Sequence, residues 1–307
     1  MRYHSRVTPT EALRDAESRL RAAEIEDARL EAETLLCHAL SLTRETLFAR
    51  LREPLPTGAY ATFESLLRRR LDHEPTAYIV GHKEFYGLRL TCAPAALIPR
   101  PETELLVESA IVWLEDKEQR PVPRPATREP RLTTHDPRPR IVDVGTGSGA
   151  IAVALAVHRP TARIVAIDPS RQALALARCN AAANSVSRRI DFVQGELLTP
   201  LPGRFDLIVA NLPYVPTRLY ERLPPEIREH EPAAALHAGR HGTALIEALL
   251  AQARLHPDGL LLAEHAWNQG RRLREAARAA FPAAAIETRR DLAGRQRMLV
   301  VRQSQRW

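Results

Sequence analysis

The sequence predicts an α/β protein: an open, mainly parallel sheet preceded by a bundle of helices. Three observations carry this. From residue 140 onward, short β-branched runs alternate with helical apolar stripes, the pattern of a parallel sheet flanked by helices. Residues 1–75 show helical periodicity alone. A chain of 307 residues has the length of about two average domains.

Thr8-Pro9-Thr10-Glu11 is a capping box with proline at the first helical position. Leu13, Ala16, Leu20 and Ala23 follow at helical spacing. A second stripe runs through Leu30, Leu35, Leu36 and Ala39, and a short third helix fits 43–51. Pro54 and Pro56 break the chain before a helix carrying Tyr60, Phe63, Leu67 and Leu71. This stretch holds no cluster of reactive side chains, so its expected role is to dock a partner.

Residues 76–100 change character. Tyr78-Ile79-Val80 and the run from Phe85 to Leu90 read as two short strands around Gly81-His82, a β-hairpin. A helix is expected from Pro101, carrying Leu105, Leu106, Ala110 and Ile111. Six prolines and many charges without periodicity mark 116–139 as a mobile loop or linker. Beyond it, strands are expected at 140–144, 163–167, 190–193, 205–210, 259–263, 286–290 and 298–301. Helices fit 148–157, 170–184, 243–255 and 268–280.

Composition removes several classes. Hydrophobic residues at 45% and charged residues at 26% are globular proportions, which excludes collagen-like, coiled-coil and wholly disordered chains. No apolar run reaches the ~18 residues of a bilayer span, and the N-terminus lacks the apolar core of a secretory signal. Cys37, Cys92 and Cys179 form neither a disulfide framework nor a zinc pattern, so no metal is expected and a reducing cytoplasm is the expected compartment. The net charge is +7, yet of 44 basic residues only Lys83 and Lys117 are lysine. The arginines are scattered beside acids with no basic stripe interleaved with aromatics, so specific nucleic-acid binding is not expected.

The chemistry concentrates at strand ends. Gly145-Thr146-Gly147-Ser148-Gly149 follows the first strand of the sheet and opens a helix. Ligands in such sheets bind beyond the carboxyl ends of the strands. Glycines there let the backbone approach a ligand where a Cβ would clash; a plain tight turn is the alternative. The spacing is G-x-G-x-G rather than G-x-G-x-x-G, which favours a compact nucleoside over a pyrophosphate. Asp168 ends the second strand, where a carboxylate can accept both ribose hydroxyls or cap the next helix. Asn211-Leu212-Pro213-Tyr214 follows the fourth strand. A hydrogen-bonding side chain, a restricted backbone and an aromatic make a cup for a planar amide or amine. His237 and His241 lack an acid to complete a metal site, and Glu264-His265 lacks a nearby nucleophile.

The Asn-Leu-Pro-Tyr run resembles the Asn-Pro-Pro-Tyr motif of S-adenosylmethionine-dependent methyltransferases that act on exocyclic or amide nitrogen. Other stretches resemble one family, the peptide chain release factor glutamine N5-methyltransferases. These are Glu74 to Gly81, Glu84-Phe85-Tyr86-Gly87, Leu97 to Glu104, His230-Glu231-Pro232 with Ala233 to Leu236, and Asp291 to Arg297. Together the resemblance covers residues 74–302.

That resemblance implies a Rossmann-like S-adenosylmethionine-dependent methyltransferase sheet with an N-terminal helical bundle. It divides the chain into a helical substrate-recognition domain (1–75), a β-hairpin linker (76–100) and a methyltransferase domain (101–307) that contains the 116–139 loop. The implied reaction is methyl transfer from S-adenosyl-L-methionine to the glutamine side-chain amide in the Gly-Gly-Gln motif of class I peptide chain release factors. Those are the expected partners of a monomer. Carried over by position, Gly145, Thr146, Gly147, Ser148, Gly149 and Asp168 hold the cofactor, Glu196 and Leu197 lie near its adenine, and Asn211 touches it. Asn211, Leu212, Pro213 and Tyr214 form the catalytic cup for the glutamine, flanked by Arg100 with Thr103 and Glu104. Leu212 stands where the family has proline: the carbonyl is kept, the fixed φ is lost and an N–H is added. Three other readings remain open at this point: an adenine-N6 nucleic-acid methyltransferase, a ribosomal-protein glutamine methyltransferase, and a non-catalytic S-adenosylmethionine-binding adaptor.

Overall fold

A computed structural model describes residues 7–119 and 139–304. The chain divides into two compact units: residues up to His82 together with Pro224–His230, and Lys83–Leu223 together with the chain from Glu231 onward.

The first unit is helical: α1 (Pro9–Ala22), α2 (Ala28–Leu40), α3 (Arg44–Ala49), α4 (Ala59–Leu71) and α5 (Thr76–Val80). The capping box forms as expected, with the Thr8 hydroxyl accepting from the Glu11 N–H and the Glu11 carboxylate accepting from the Thr8 N–H. Leu13, Ala16 and Leu20 close on Leu35, Leu36, Leu47, Phe63 and Leu67. Leu30 does not join them and is exposed. At ~100° per residue it falls on the face of α2 opposite Ala28, Ala32, Leu35 and Leu36. Buried Arg70 pairs with Glu31 at 3.1 Å and Glu226 at 2.6 Å, which ties the 224–230 segment into this unit.

The hairpin of β1 (His82–Phe85) and β2 (Leu88–Thr91) starts at the boundary between the units, with all but His82 in the second. Its turn is Tyr86-Gly87, both at positive φ (49° and 72°). The expected turn at Gly81-His82 is therefore displaced, and Tyr78-Ile79-Val80 is helix rather than strand. So short an apolar run does not distinguish the two; here Gly81, at φ 79°, ends α5 as a left-handed cap. A 3₁₀ turn at Pro101–Thr103 leads into α6 (Glu104–Gln119). The helix continues through 116–119, where a loop was expected, because those residues form helix readily and the first proline stands at 121. The rest of that expected loop, 120–138, lies outside the described residues.

Every expected strand of the sheet is present: β3 (Arg140–Val144), β4 (Arg163–Asp168), β5 (Ile190–Gln194), β6 (Phe205–Ala210), β7 (Leu255–Glu264), β8 (Ala285–Arg290) and β9 (Gln296–Arg302). The intervening helices are α7 (Ala150–His158), α8 (Arg171–Ala183), α9 (Thr217–Tyr220), α10 (Pro225–His230), α11 (Ala244–Gln252) and α12 (Gly270–Ala280), and the short α9 and α10 were not anticipated. Strand order is β5-β4-β3-β6-β7-β9-β8, parallel except for β9, which runs antiparallel to both neighbours. Alternation splits the sheet's apolar residues between two cores. Ile141, Leu207 and Val209 pack with Leu106, Ala110, Ile151 and Leu155. Val142, Val144, Ile208 and Ala210 pack with Ile246, Leu249, Leu273 and Ala277. Connections leave β3 toward β4 on one side while β6 lies on the other, and this reversal opens a crevice at the carboxyl ends.

Candidate active site

Register alone gathers the motifs. Val144 pairs with Ile167 and with Ala210, so Gly145, Asp168 and Asn211 leave three neighbouring strand ends together. The Gly145 and Thr146 N–H groups donate to the Ile167 carbonyl at 2.8 and 3.0 Å. Asp168 accepts from the Gly147 N–H and the Ser170 N–H, each at 2.9 Å. Ser170, not Asp168, caps α8, accepting from the Ala173 N–H; Asp168 ties down the glycine loop. Gly145 has φ 72°, and a Cβ there would stand 2.7 Å from Leu212 Cδ2. The positive φ favours glycine here, and the missing Cβ leaves room for the Leu212 side chain.

Two carboxyls lie under this loop. Asp143 Oδ2 accepts from the Thr146 hydroxyl at 2.6 Å and the Ala152 N–H at 3.1 Å. Its Oδ1 is buried without a partner among the described residues. Burial pushes this carboxyl up to about 7, against the pull of those two donors and with a smaller push from Asp168. Burial also raises Asp168, opposed by the Ser170 and Gly147 N–H groups. The Gly195 N–H reaches the Asp168 carbonyl at 3.1 Å, which sets Glu196 and Leu197 beside that strand end. Glu196 is exposed, whereas the Leu197 side chain enters the core from a left-handed backbone (φ 51°).

The cup is held differently. Asn211 Nδ2 donates to Thr103 Oγ1 at 2.9 Å, the Thr103 hydroxyl donates to Glu264 Oε2 at 2.7 Å, and the Tyr214 hydroxyl donates to Glu264 Oε1 at 3.0 Å. Burial raises the Tyr214 hydroxyl, and Glu264 raises it further. Gln269 Nε2 donates to the Tyr214 carbonyl at 2.8 Å. The Leu212 side chain is buried in the core that contains Val144 and Ala210. Arg100 pairs with buried Glu231, whose other oxygen accepts from the Ile98 N–H at 3.1 Å. Thr103 thus reaches the cup, and Arg100 is fixed by Glu231. Glu104, expected to flank the pocket, instead accepts from the Tyr86 N–H at 2.8 Å and holds the hairpin turn.

Two positions escaped the sequence reading. Asn180 is fully buried; it donates to the Ser148 carbonyl at 2.9 Å and the Thr91 carbonyl at 3.1 Å, and accepts from the Thr91 N–H at 2.7 Å. The signal was a polar residue on the apolar face of α8, beside Ala177 and Ala181. Glu264 was noticed only as half of a pair with His265. Its oxygens are taken by Thr103 and Tyr214, while His265 Nδ1 faces the Ala266 carbonyl. Exposed His237 bonds to the Thr217 hydroxyl, and the described residues hold no cluster of three metal-binding side chains.

Residues 11–81 match the PrmC N-terminal domain and residues 130–221 the methyltransferase small domain. Over 98% of its length the chain is 39% identical to the release factor glutamine methyltransferase of Nitratidesulfovibrio vulgaris, covering 97% of that protein. Over 95% of its length it is 39% identical to the release factor glutamine methyltransferase of Moorella thermoacetica, again covering 97%. The chain belongs to the release factor glutamine methyltransferase family. As a member of it, the protein is a methyltransferase, and the family implies S-adenosylmethionine as methyl donor. The fold agrees. The hMettl16 catalytic domain in complex with MAT2A 3′UTR hairpin 6 aligns over 77% of this chain and 84% of that one, with a TM-score of 0.52 at 17% identity. The chain therefore has the Rossmann-like methyltransferase sheet expected of it, and none of its described helices is long and apolar enough to cross a membrane.

Proposed function

We propose that this methyltransferase acts on the side-chain amide nitrogen of the glutamine in the Gly-Gly-Gln motif of class I peptide chain release factors. The observation that carries the reading is the strand register that brings the Asn211–Tyr214 run beside the glycine loop and Asp168.

The residues present fit S-adenosylmethionine. Two buried carboxyls, Asp143 with an orphaned oxygen and Asp168 at a strand end, suit a cationic nucleoside with a ribose diol. The backbone from Gly145 through Thr146, Gly147 and Ser148 to Gly149 would cradle it, with Asp168 on the ribose, Glu196 and Leu197 beside the adenine and Asn211 at the reacting end. When bound, S-adenosylmethionine supplies a methyl group on a sulfonium, open to attack by a nucleophile in line.

An amide nitrogen is a poor nucleophile because its lone pair is delocalised into the carbonyl. The Asn211 Oδ1 and the Leu212 carbonyl would accept its two N–H bonds. That orients the nitrogen and favours loss of delocalisation as the transition state forms. Pro213 biases Leu212 toward an extended backbone, which aims its carbonyl. Tyr214 would cover the amide plane, Arg100 would border the entrance, and holding both reactants in place supplies much of the remaining rate. The helical unit, without a reactive cluster, would recognise the protein substrate.

The test is incubation with labelled S-adenosylmethionine and purified release factors, followed by mass mapping of the product. Label on the Gly-Gly-Gln glutamine is the expected result. Label on nucleic acid or a ribosomal protein, or cofactor binding without any transfer, would overturn the reading.

A further inference from the structure

Glu264 is a carboxylate with a single visible occupation: it collects hydrogen bonds. Ala210 pairs with Ala263 across β6 and β7, so Asn211 and Glu264 leave adjacent strand ends at the same level. Thr103 arrives from the turn before α6 and stands between them. Glu264 is 1% exposed and Thr103 is 4% exposed, so water does not compete for these bonds.

We propose that Glu264 is a positioning residue that, through Thr103, locks the Asn211 side-chain amide with its oxygen facing the substrate glutamine. The proposal rests on the amide-methylation reading above and adds a residue to it. The argument is one of donors and acceptors. In its ionised form Glu264 only accepts, so the single hydroxyl proton of Thr103 then points at Glu264 Oε2. The Thr103 oxygen is then left to accept, and the neighbour it faces must present a donor. Asn211 does so with Nδ2 at 2.9 Å. Turning the Asn211 amide over would set its oxygen against the Thr103 lone pairs and aim its NH₂ at a substrate NH₂. No acceptor would then remain on that side chain to orient the substrate. The polarity of the cup is thus fixed two residues away, at an acid that never reaches the reacting atoms. The second oxygen of Glu264 anchors the Tyr214 hydroxyl, so the same acid holds the aromatic wall. Burial raises the Glu264 carboxyl; the hydrogen bonds from Thr103 and Tyr214 and the charge of Arg297 favour its ionised form, and Glu102 opposes it.

Glutamine at 264 breaks the logic without changing the shape. Its NH₂ must face either Thr103 or Tyr214. Facing Thr103, it releases the hydroxyl proton toward Asn211 and turns that amide over; facing Tyr214, it reverses the ring's anchoring bond, leaving the phenol oxygen to accept. Thr103→Val removes the relay at its middle, and Thr103→Ser restores it.

The experiment measures kcat, KM for a release factor, S-adenosylmethionine Kd and Tm for E264Q, T103V and T103S, each also in an N211A background. E264Q and T103V are expected to lower kcat by about tenfold or more with Kd unchanged, and T103S to recover most of the loss. In the N211A background T103V should not lower kcat further, because it acts through the missing side chain. The Asn211 side-chain NH₂ resonances of the ligand-free protein give a second readout: hydrogen-bonded in the parent and T103S, released in T103V. Parental kcat in both E264Q and T103V, or a T103V loss that multiplies with N211A, would overturn the proposal. So would NH₂ resonances indifferent to T103V. A parent that methylates no glutamine while its Asn211 resonances respond to T103V as expected would sink the functional reading and support the relay.

Discussion

The two sides of the crevice are held by different materials. On the glycine side, the backbone is the donor throughout: Gly145 and Thr146 donate to the Ile167 carbonyl, and Gly147 donates to the Asp168 carboxylate. Shape there depends on the absence of side chains. On the cup side, side chain binds side chain, from Asn211 through Thr103 to Glu264 and back to Tyr214. Backbone geometry belongs to the strand ends and tolerates most substitutions nearby. A side-chain relay gives a defined polarity but fails when one member changes. The division suits the proposed roles, since a nucleoside is gripped through shape while an amide must be told which way round to sit.

This contrast can be broken from the cup side with the largest effect. Asn211→Ala is expected to lower kcat by ~10²–10³-fold, the usual loss for one preorganised polar group, while S-adenosylmethionine affinity changes little. Steady-state kinetics with calorimetry decides it, and a folded variant with near-parent kcat would empty the cup of its role. On the glycine side, Asp168→Ala should weaken S-adenosylmethionine binding by roughly 1.5–3 kcal/mol, the range for hydrogen bonds to a charged group. Unchanged affinity in calorimetry would remove Asp168 from the ribose and leave it only the loop.

Leu212 joins the two sides and separates rate from stability. Leu212→Pro keeps the carbonyl, so kcat should stay within about tenfold of the parent. It also removes a buried side chain packed over Gly145, which should lower stability by about 1–3 kcal/mol in a thermal or denaturant melt. A large rate loss without a stability loss would mean that the backbone N–H, not the side chain, is what this position needs.

The smallest effect is a slope. Asp143 titrates near 7 in the folded protein, against ~3.9 for an unperturbed aspartate. Between those values the folded form keeps a proton that the unfolded form has lost, so Asp143 makes the ligand-free protein less stable as pH rises from about 4 to 7. Asp143→Asn should flatten that part of the stability–pH curve. An unchanged slope would show that Asp143 ionises normally beneath the loop.

Much of this was legible in the sequence because it follows from local rules. The Thr8–Glu11 capping box, the strands from 140 onward and the glycine loop between β3 and α7 each depend on residues adjacent in the chain. Asn211 to Tyr214 stood out as a polar and aromatic run at the end of an apolar strand. Where the local signal was short or ambiguous, the reading slipped: Tyr78-Ile79-Val80 became helix, and the hairpin turn moved to Tyr86-Gly87. What only the tertiary structure decided was which distant side chains meet. Thr103, Asn211 and Glu264 are far apart in sequence and come together because β6 and β7 align Ala210 with Ala263. Asn180 likewise links Thr91 to Ser148 across separate elements. Strand register and strand order create these meetings, and both are set by long-range pairing and burial that no local pattern encodes.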